Sequence, residues 1–316
     1  MAVYTQVSAE ALAAFLARYD VGDLVSAKGI AEGGENSNYL VDTTAARFIL
    51  TLYEKRVAAD DLPFFMALLD HLAERGLPVP PAIKDRDGVE IQELADRPAC
   101  LIRFLNGVSL SDPTPVQARN AGRAMAAMHE ALADFPLTRD NSMGIATWRP
   151  LLERCGRQAM DTIQPALFDR VDAALTGVEA AWPAGLPVTA IHADLFPDNV
   201  LMLGDEVTGL IDFYFACTDV RAYDLAIMHT AWTFDAKGLN PDTAVGAALL
   251  DGYGGSLSSA ERAALPVLAK GACIRFLLSR AWDWIHTPAD ALVVRKDPLA
   301  YLNRLAWYEG NPDAFA

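Results

Sequence analysis

The sequence predicts an α+β fold in which a small antiparallel sheet is followed by a larger, mainly helical part. Short β-branched apolar runs separated by turn residues are concentrated before residue 106, whereas apolar residues at helical spacing prevail after it. The chain has 316 residues, and at about 150 residues per domain this length suits two lobes. We therefore predict one lobe over residues 1–105 and a second over residues 106–316.

The first lobe is predicted to hold a sheet and two helices. Ser8 is a suitable N-cap for a short amphipathic helix over 8–19. A second helix is expected over 60–75, followed by a proline-rich extended segment at 77–81. Strand patterns occupy five segments, which are 24–30, 39–41, 48–52, 88–93 and 99–105. Their order, with short connections, predicts a five-stranded antiparallel sheet.

The loop between the first two predicted strands is a candidate phosphate-binding loop. It contains Gly33 and Gly34, whose lack of a side chain lets backbone N–H groups approach phosphate oxygens. Ser37 and Asn38 would add side-chain donors. The segment matches neither G-x-G-x-x-G nor G-x-x-x-x-G-K-[ST], so an ordinary hairpin turn remains the alternative.

The second lobe is predicted to be helical around one short β-rich stretch. Helices are expected from about Pro113 to Phe135, over 148–182, and through most of the chain after Asp224. His129 on the first of these helices is interpreted as a packed or capping residue rather than a catalytic one. Between the helices, the stretch from Val188 to Ala216 alternates apolar strand-like runs with isolated polar side chains.

Those isolated polar side chains have the spacing that phosphoryl transfer requires. Asn199 lies five positions after Asp194 of His192-Ala193-Asp194, and Asp212 follows the later strand-like run 207–211. A carboxylate can accept the proton of an attacking hydroxyl, while an amide oxygen and a second carboxylate can hold Mg²⁺. We assign Asp194 as the base and Asn199 and Asp212 as metal ligands. The alternative is a polar turn with incidental acids.

At these residues the chain resembles a known family. HADLFPDNVL and LIDFYFA are similar to the aminoglycoside phosphotransferase-like kinases, whose protein-kinase-like fold has a small antiparallel β-sheet N-lobe and a larger, mainly helical C-lobe. Within that family the segments GGENSNYLVDT, RFILTLYEKR, IDFYFACTD and SRAWDW most resemble the homoserine kinases. These segments are spread over most of the chain, so the resemblance is nearly full length.

The resemblance implies an enzyme that uses ATP and Mg²⁺ to phosphorylate the hydroxyl of L-homoserine on the threonine biosynthetic pathway. It implies that adenine contacts the backbone near Arg103 and Leu105. It also implies that His192 and Asp224 support the loop that carries Asp194. From the residues alone, the interpretation of Asp224 is a helix N-cap.

One feature departs from the general kinase pattern. The third strand of a kinase usually carries a lysine that contacts the nucleotide phosphates and pairs with a glutamate on the next helix. Here the corresponding position holds Thr51, and the helix over 60–75 has no central glutamate. The nearest basic residues are Lys55 and Arg56. We interpret Lys55 as a solvated surface residue.

A later helical segment carries candidate residues for the acceptor. Arg280 and Asp283 are three positions apart and share a helix face. An arginine can bind a carboxylate and an aspartate can bind an ammonium group, and homoserine has both. A local ion pair is the alternative. Other acceptors, namely an aminoglycoside, a choline-like alcohol or methylthioribose, also stay open, as does a non-catalytic binding protein.

The composition excludes several other classes of protein. A formal net charge of −15 and a pI near 4.7 disfavour nucleic acid and anionic membranes as partners. Four cysteines lie far apart with no C-x-x-C pair, which predicts buried thiols rather than a disulfide or zinc framework. No signal-peptide pattern or membrane-length apolar run is apparent. We therefore expect a cytoplasmic enzyme.

Overall fold

The structure, a computed structural model, describes residues 5–30, 36–54, 58–287 and 295–315. The chain divides into two compact units, one of Met1–Gly107 with Thr208–Tyr214 and one of Val108–Val207 with Phe215–Ala316. The functional boundary predicted between residues 105 and 106 stays a prediction. The compact units differ from it by giving the segment Thr208–Tyr214 to the first unit.

The first unit contains the predicted antiparallel sheet. Its helices are α1 (Ala9–Leu16) and α2 (Leu62–Glu74), and its strands are β1 (Leu24–Gly29), β2 (Ser37–Thr43), β3 (Arg47–Leu52), β4 (Gln92–Leu94) and β5 (Arg97–Arg103). Within the described residues these five strands form one sheet in the order β1-β2-β3-β5-β4, with antiparallel neighbours. The predicted α+β class and its sheet are confirmed.

Alternation of apolar residues fixes the register of this sheet. Tyr39 pairs with Leu50 and Val41 with Phe48, and all four side chains are buried. The buried face of α1 belongs to the same apolar core, and the Ser8 hydroxyl caps α1 by accepting from the Ala11 N–H at 3.1 Å.

Two strand boundaries in the first unit differ from the sequence prediction. Ser37 and Asn38 lie in β2 rather than in the preceding loop, because they pair with Leu52 and Thr51 of β3. The strand predicted over 88–93 is shorter and begins at Gln92. Ala95 and Asp96, with φ of 54° and 57°, form the tight turn between β4 and β5. Aspartate tolerates this left-handed conformation, whereas alanine does not signal it.

The second unit is mainly helical. Its helices are α3 (Pro115–Ala131), α4 (Ile145–Cys155), α5 (Arg157–Ile163), α6 (Leu167–Ala181), α7 (Arg221–Trp232), α8 (Thr243–Tyr253), α9 (Ser259–His286) and α10 (Leu299–Gly310). The helical segment predicted over 148–182 is broken at Gly156, whose φ is +76°. Helices α3 and α8 approach closely at Gly122, where a Cβ atom would lie 2.2 Å from the Leu249 carbonyl oxygen.

Five short strands hold the stretch that carries the candidate site. They are β6 (Val108–Ser109), β7 (Val188–Ile191), β8 (Val200–Leu203), β9 (Glu206–Leu210) and β10 (Cys217–Val220). From Thr208 onward β9 belongs to the first unit, and the other four strands belong to the second. β7 pairs antiparallel with β10, and β6 pairs antiparallel with β8. The loop between β7 and β8 is therefore fixed at both ends, and Asp212 follows the end of β9 as predicted.

Two expectations from composition can be compared with the structure. Cys100, Cys155, Cys217 and Cys273 are all buried free thiols, as predicted. Among the described residues, every helix is too short or too polar to cross a lipid bilayer.

A buried histidine on α7 predicts how stability depends on pH. Burial lowers the pKa of His229 to about 3, whereas an unfolded histidine titrates near 6.5. Between these values only the unfolded chain binds the proton, so this stabilisation is complete above about pH 6.5 and is lost as the pH falls toward 3. In urea titrations, the free energy of unfolding of the unmodified protein should fall between pH 7 and pH 4. In His229→Asn we expect this fall to be smaller by about 1 kcal/mol per pH unit.

The exposed His286 supplies the matched control. His286→Asn should leave the pH dependence of the unfolding free energy as it is in the unmodified protein. An equal slope in His229→Asn and the unmodified protein would contradict the assignment.

Candidate active site

The loop that follows β7 has an unusual backbone shape. Ala193, between His192 and Asp194, has a φ of +63°, in the left-handed region that residues with a side chain rarely adopt. Such a conformation persists only where the surroundings hold it. The contacts of residues 192–195 therefore determine where the Asp194 carboxylate lies.

Asp224 holds the first part of this loop. Its Oδ2 accepts from the His192 N–H at 2.8 Å and its Oδ1 accepts from the Ala193 N–H at 2.7 Å. The carboxylate is completely buried and also bonds to the His129 Nε2 atom at 3.0 Å. Burial alone raises the pKa of Asp224, but His129, His192 and the backbone N–H donor outweigh it and hold that pKa below its ordinary value.

This geometry decides between the two interpretations of Asp224. The residue lies in the first turn of α7, whose N-cap is Val220, and its carboxylate bonds to the loop instead of capping the helix. The N-cap alternative is therefore wrong. His129 is a packed residue, as predicted, since its other ring nitrogen bonds to the Tyr253 hydroxyl at 2.8 Å.

His192 holds the peptide group that precedes Asp194. Its side chain is completely buried, and its Nδ1 accepts from the Asp194 N–H at 3.2 Å. A backbone N–H can only donate, so Nδ1 carries no proton. The neutral tautomer of His192 therefore has its proton on Nε2.

Asn199 is bonded directly to Asp194. Its Nδ2 donates to the Asp194 carbonyl oxygen at 2.7 Å and lies 3.4 Å from the Oδ2 of the same residue. The turn Pro197–Asn199 brings the two residues together across the five positions that separate them. Because the Asn199 side-chain nitrogen donates to Asp194, the side-chain oxygen of Asn199 is the atom that could coordinate a cation.

Asp212 belongs to the first unit. It follows β9, is exposed, and has a φ of +66°. The segment after it is anchored by Tyr214, whose ring meets those of Tyr53 and Phe65 edge-on at 5.5 and 5.9 Å between centroids. This packing fixes the backbone on which the Asp212 carboxylate is carried.

The nucleotide-contact residues predicted in the first unit stay predictions. Gly33, Gly34 and Lys55 lie outside the described residues. The buried Ser37 hydroxyl donates to Glu54 at 2.8 Å, and Asn38 accepts from the Thr51 hydroxyl at 2.8 Å. These bonds commit both side chains to partners within the first unit.

The other two predicted nucleotide contacts lie at the end of the sheet. Arg103 ends β5 and has an exposed side chain, and its backbone N–H donates to the Pro81 carbonyl at 3.3 Å. Leu105 follows it and is half-buried. At the position of the usual kinase lysine, Thr51 is only 1% exposed, so a buried neutral hydroxyl fills that position on β3.

Arg280 on α9 lies within electrostatic reach of Asp194. Its guanidinium packs over the Tyr301 ring at 4.6 Å and its Nη1 donates to the Asp297 carbonyl at 3.3 Å. Burial lowers the pKa of Arg280, while Tyr301, Asp194 and Asp297 act in the opposite direction. Asp283 lies on the same helix and is half-buried. Arg280 is therefore a partly desolvated cation that interacts electrostatically with the candidate base.

Sequence reasoning missed two side chains that hold the loop. The buried Arg275 on α9 donates through Nη1 to the Ala193 carbonyl, and Trp232 on α7 donates to the Leu195 carbonyl at 2.9 Å. Arg275 is 82 positions from Ala193 in the chain. Such contacts to a backbone carbonyl leave no spacing signal, so only the fold reveals them.

A cavity of about 760 Å³ lies elsewhere in the second unit. Its walls include His229, Thr233, Arg262 and residues 310–315 near the end of the chain. Because no predicted site residue lines it, this cavity is separate from the loop that carries Asp194.

The two backbone bonds of Asp224 predict the effect of a near-isosteric change. Asp224→Asn leaves one acceptor oxygen for two buried N–H donors, so one of them loses its partner. We expect the free energy of unfolding to fall by about 1–3 kcal/mol in urea titrations at pH 7.

Asp242 provides the control, since it also accepts from two backbone N–H groups, those of Ala244 and Val245, but at the exposed N-cap of α8. Asparagine is an equally good N-cap, so Asp242→Asn should leave the stability within about 0.5 kcal/mol of the unmodified protein. Equal losses in the two variants would argue against a special role for Asp224.

Comparisons with known proteins identify similar sequences over nearly the whole chain. The model of the phosphotransferase enzyme family matches residues 26–265. The homoserine kinase of Zymomonas mobilis is 53% identical over 312 residues, covering 98% of this chain and 97% of that protein. The homoserine kinase of Gluconobacter oxydans is also 53% identical, with 98% of both chains covered.

Solved structures show the same fold at low sequence identity. A spectinomycin phosphotransferase in complex with ADP and spectinomycin aligns with a TM-score of 0.74 at 13% identity, covering 98% of this chain and all of that one. An amicoumacin kinase in complex with AMP-PNP and Ca²⁺ aligns with a TM-score of 0.70 at 14% identity, covering 96% and 92%. These neighbours confirm the kinase-like α+β fold.

The family model spans most of the chain, and the curated relatives share about half of its residues over nearly its whole length. The chain therefore belongs to the phosphotransferase enzyme family, alongside these homoserine kinases.

Proposed function

We propose that this enzyme transfers the γ-phosphate of ATP to the hydroxyl of L-homoserine, giving O-phospho-L-homoserine. The observation that carries the proposal is the similarity to homoserine kinases, 51–53% identical over 98% of the chain. The loop geometry supports the same chemistry, because it presents one carboxylate on a rigidly held backbone. The free, buried cysteines suit a reducing compartment, and we propose the cytoplasm.

Asp194 is the proposed base. Its backbone is held on both sides, by the His192 ring at its N–H and by the Asn199 amide at its carbonyl. The carboxylate orients the homoserine hydroxyl and accepts its proton as the phosphoryl group transfers. Because the transition state of this transfer is loose, most of the rate comes from positioning and electrostatics rather than from strong base catalysis.

Asn199 and Asp212 are the proposed ligands of Mg²⁺. The donor set fits, because the amide nitrogen of Asn199 is engaged by Asp194 and its hard oxygen is left for the cation. The described residues contain no cluster of three or more His, Cys, Asp or Glu side chains suited to a metal. Two protein ligands suit Mg²⁺, which takes its remaining ligands from water and phosphates. When bound, Mg²⁺ neutralises charge on the phosphates.

Arg280 and Asp283 are the proposed contacts for the amino-acid part of the acceptor. The Arg280 guanidinium is desolvated and lies near enough to Asp194 to interact with it electrostatically. An arginine there can bind the homoserine carboxylate while the hydroxyl reaches the base. Asp283, three positions along the same helix face, would receive the ammonium group.

The nucleotide is proposed to bind the first unit, through the loop with Gly33 and Gly34 and the backbone near Arg103 and Leu105. The Ser37 and Asn38 side chains, predicted as further donors, bond instead to Glu54 and Thr51 and hold the strand that follows this loop. The buried Thr51 supplies no positive charge. We therefore propose that bound Mg²⁺ and backbone N–H groups stabilise the phosphates in place of the usual lysine.

Homoserine-dependent ADP release tests the reaction and its base together. The unmodified enzyme should release ADP with homoserine and not with an aminoglycoside, choline or methylthioribose.

Asp194→Asn should lower kcat by at least about 100-fold, because the proton acceptor is lost, while ATP binding changes little. Asp198→Asn is the matched control, since Asp198 carries the same charge in the same loop but is exposed. Turnover within a few-fold of the unmodified enzyme in Asp194→Asn would exclude this base, and release with another acceptor alone would exclude homoserine.

The role of Arg280 predicts a change in acceptor affinity rather than in turnover. Arg280→Met should raise KM for homoserine about 10- to 100-fold, because a charge-assisted carboxylate contact is lost, with KM for ATP unchanged. With 3-aminopropan-1-ol, which has no carboxylate, the variant and the unmodified enzyme should perform alike. Arg295→Met removes a different arginine, which is exposed and packs over Trp284, and serves as control. Loss of affinity for both acceptors would argue against carboxylate recognition.

A further inference from the structure

The polar backbone groups of residues 192–195 are held by side chains from several elements. Asp224 accepts the N–H groups of His192 and Ala193, and Trp232 donates to the carbonyl of Leu195. Asn199 donates to the carbonyl of Asp194. Each of these contacts fixes the orientation of one peptide group.

The peptide group between Ala193 and Asp194 has a different pair of partners. Its N–H donates to the His192 Nδ1 at 3.2 Å, and its carbonyl accepts from the Arg275 Nη1. This peptide group sets the direction in which Asp194 leaves the backbone. The left-handed conformation of Ala193, with φ of +63°, determines the orientation of this peptide group. Alanine does not favour that conformation, so contacts from other residues must hold it.

Arg275 is built into the second unit as a rigid donor. It is only 2% exposed, although arginine is rarely buried. Its guanidinium packs over the Phe276 ring at 4.4 Å and the Phe215 ring at 5.6 Å. The planar group is thus confined between aromatic rings, with one N–H directed at the Ala193 carbonyl.

We infer that Arg275 is a positioning residue for Asp194. Its charged hydrogen bond holds the Ala193–Asp194 peptide group in the orientation that the left-handed Ala193 requires, and so fixes the direction of the carboxylate. This inference rests on the proposed function of Asp194 as base. A neutral or displaced side chain at position 275 leaves a buried carbonyl without its donor, and the peptide group can then rotate.

Kinetics of two substitutions test the inference. Arg275→Met fills the position with an apolar side chain but removes the guanidinium donor to the Ala193 carbonyl. We expect kcat to fall about 100-fold, because the Asp194 carboxylate is no longer held in its direction. KM for ATP and for homoserine should change less than about threefold, since Arg275 contacts the loop backbone and not the proposed substrate groups. Arg275→Lys retains a cationic donor, and its kcat should exceed that of Arg275→Met by about tenfold.

Arg304 on α10 supplies a matched control. It is 5% exposed, lies over the Phe234 ring at 5.7 Å, and donates to the Asp235 carbonyl at 3.0 Å, away from the loop. Arg304→Met should destabilise the fold comparably while leaving kcat within about threefold. The comparison uses kcat because Arg304 also packs over Tyr301, which Arg280 contacts.

Hydrogen exchange gives a readout that does not require activity. In Arg275→Met, backbone amides of residues 192–195 should exchange at least about tenfold faster, and in Arg304→Met they should not. Slow exchange in Arg275→Met, or a kcat within about threefold of the unmodified enzyme, would overturn the inference, as would equal kcat losses in Arg304→Met. Failure of the unmodified enzyme to phosphorylate homoserine would instead overturn the proposed function, and the exchange data would still decide whether Arg275 holds the loop.

Discussion

The hydrogen bonding of the buried Asp224 carboxylate is the interaction on which the geometry of residues 192–195 depends. A carboxylate completely removed from water is costly unless several donors satisfy it. Here two backbone N–H groups and His129 do so, and they keep the group ionised by holding its pKa below the ordinary value. The requirement is mutual, because the same two N–H groups would otherwise be buried without acceptors. The loop and the carboxylate therefore stabilise each other only in this one arrangement.

Opposite charges hold neighbouring peptide groups of the same loop. Asp224 binds N–H groups, which carry partial positive charge, and Arg275 binds a carbonyl oxygen, which carries partial negative charge. The two peptide groups flanking Ala193 are thereby held from α7 and α9 respectively. This division of donors and acceptors gives a physical reason why an alanine can occupy a left-handed conformation at this position without being glycine.

The sequence predicted the framework better than the contacts. The strands before His192 and after Asn199 were predictable, because a short apolar run bounded by turn residues is the sequence pattern of a buried strand. The same reasoning located Asp194 and Asn199 on one loop, and the structure joins them by a hydrogen bond of 2.7 Å. The connection between the strands predicted over 88–93 and 99–105 was expected to be longer than the two-residue turn at Ala95 and Asp96, because a left-handed alanine has no signal in the sequence. Arg275 could not be found, since a donor to a distant carbonyl has no pattern in the chain.

Replacement of the usual strand lysine by Thr51 changes how the first unit can contribute to catalysis. The buried Thr51 hydroxyl donates to Asn38, and Tyr53, two positions further on, packs against Tyr214 beyond the proposed metal ligand Asp212. Around Thr51, β3 thus contributes neutral hydrogen bonds and aromatic packing where kinases commonly place a lysine. Thr51 brings no positive charge to a triphosphate, so in the proposed reaction this demand falls on Mg²⁺ and backbone N–H groups. The placement of Asp212 should then matter more than in an enzyme with both cations, and the packing of Tyr214 against Tyr53 and Phe65 fixes the segment that follows Asp212.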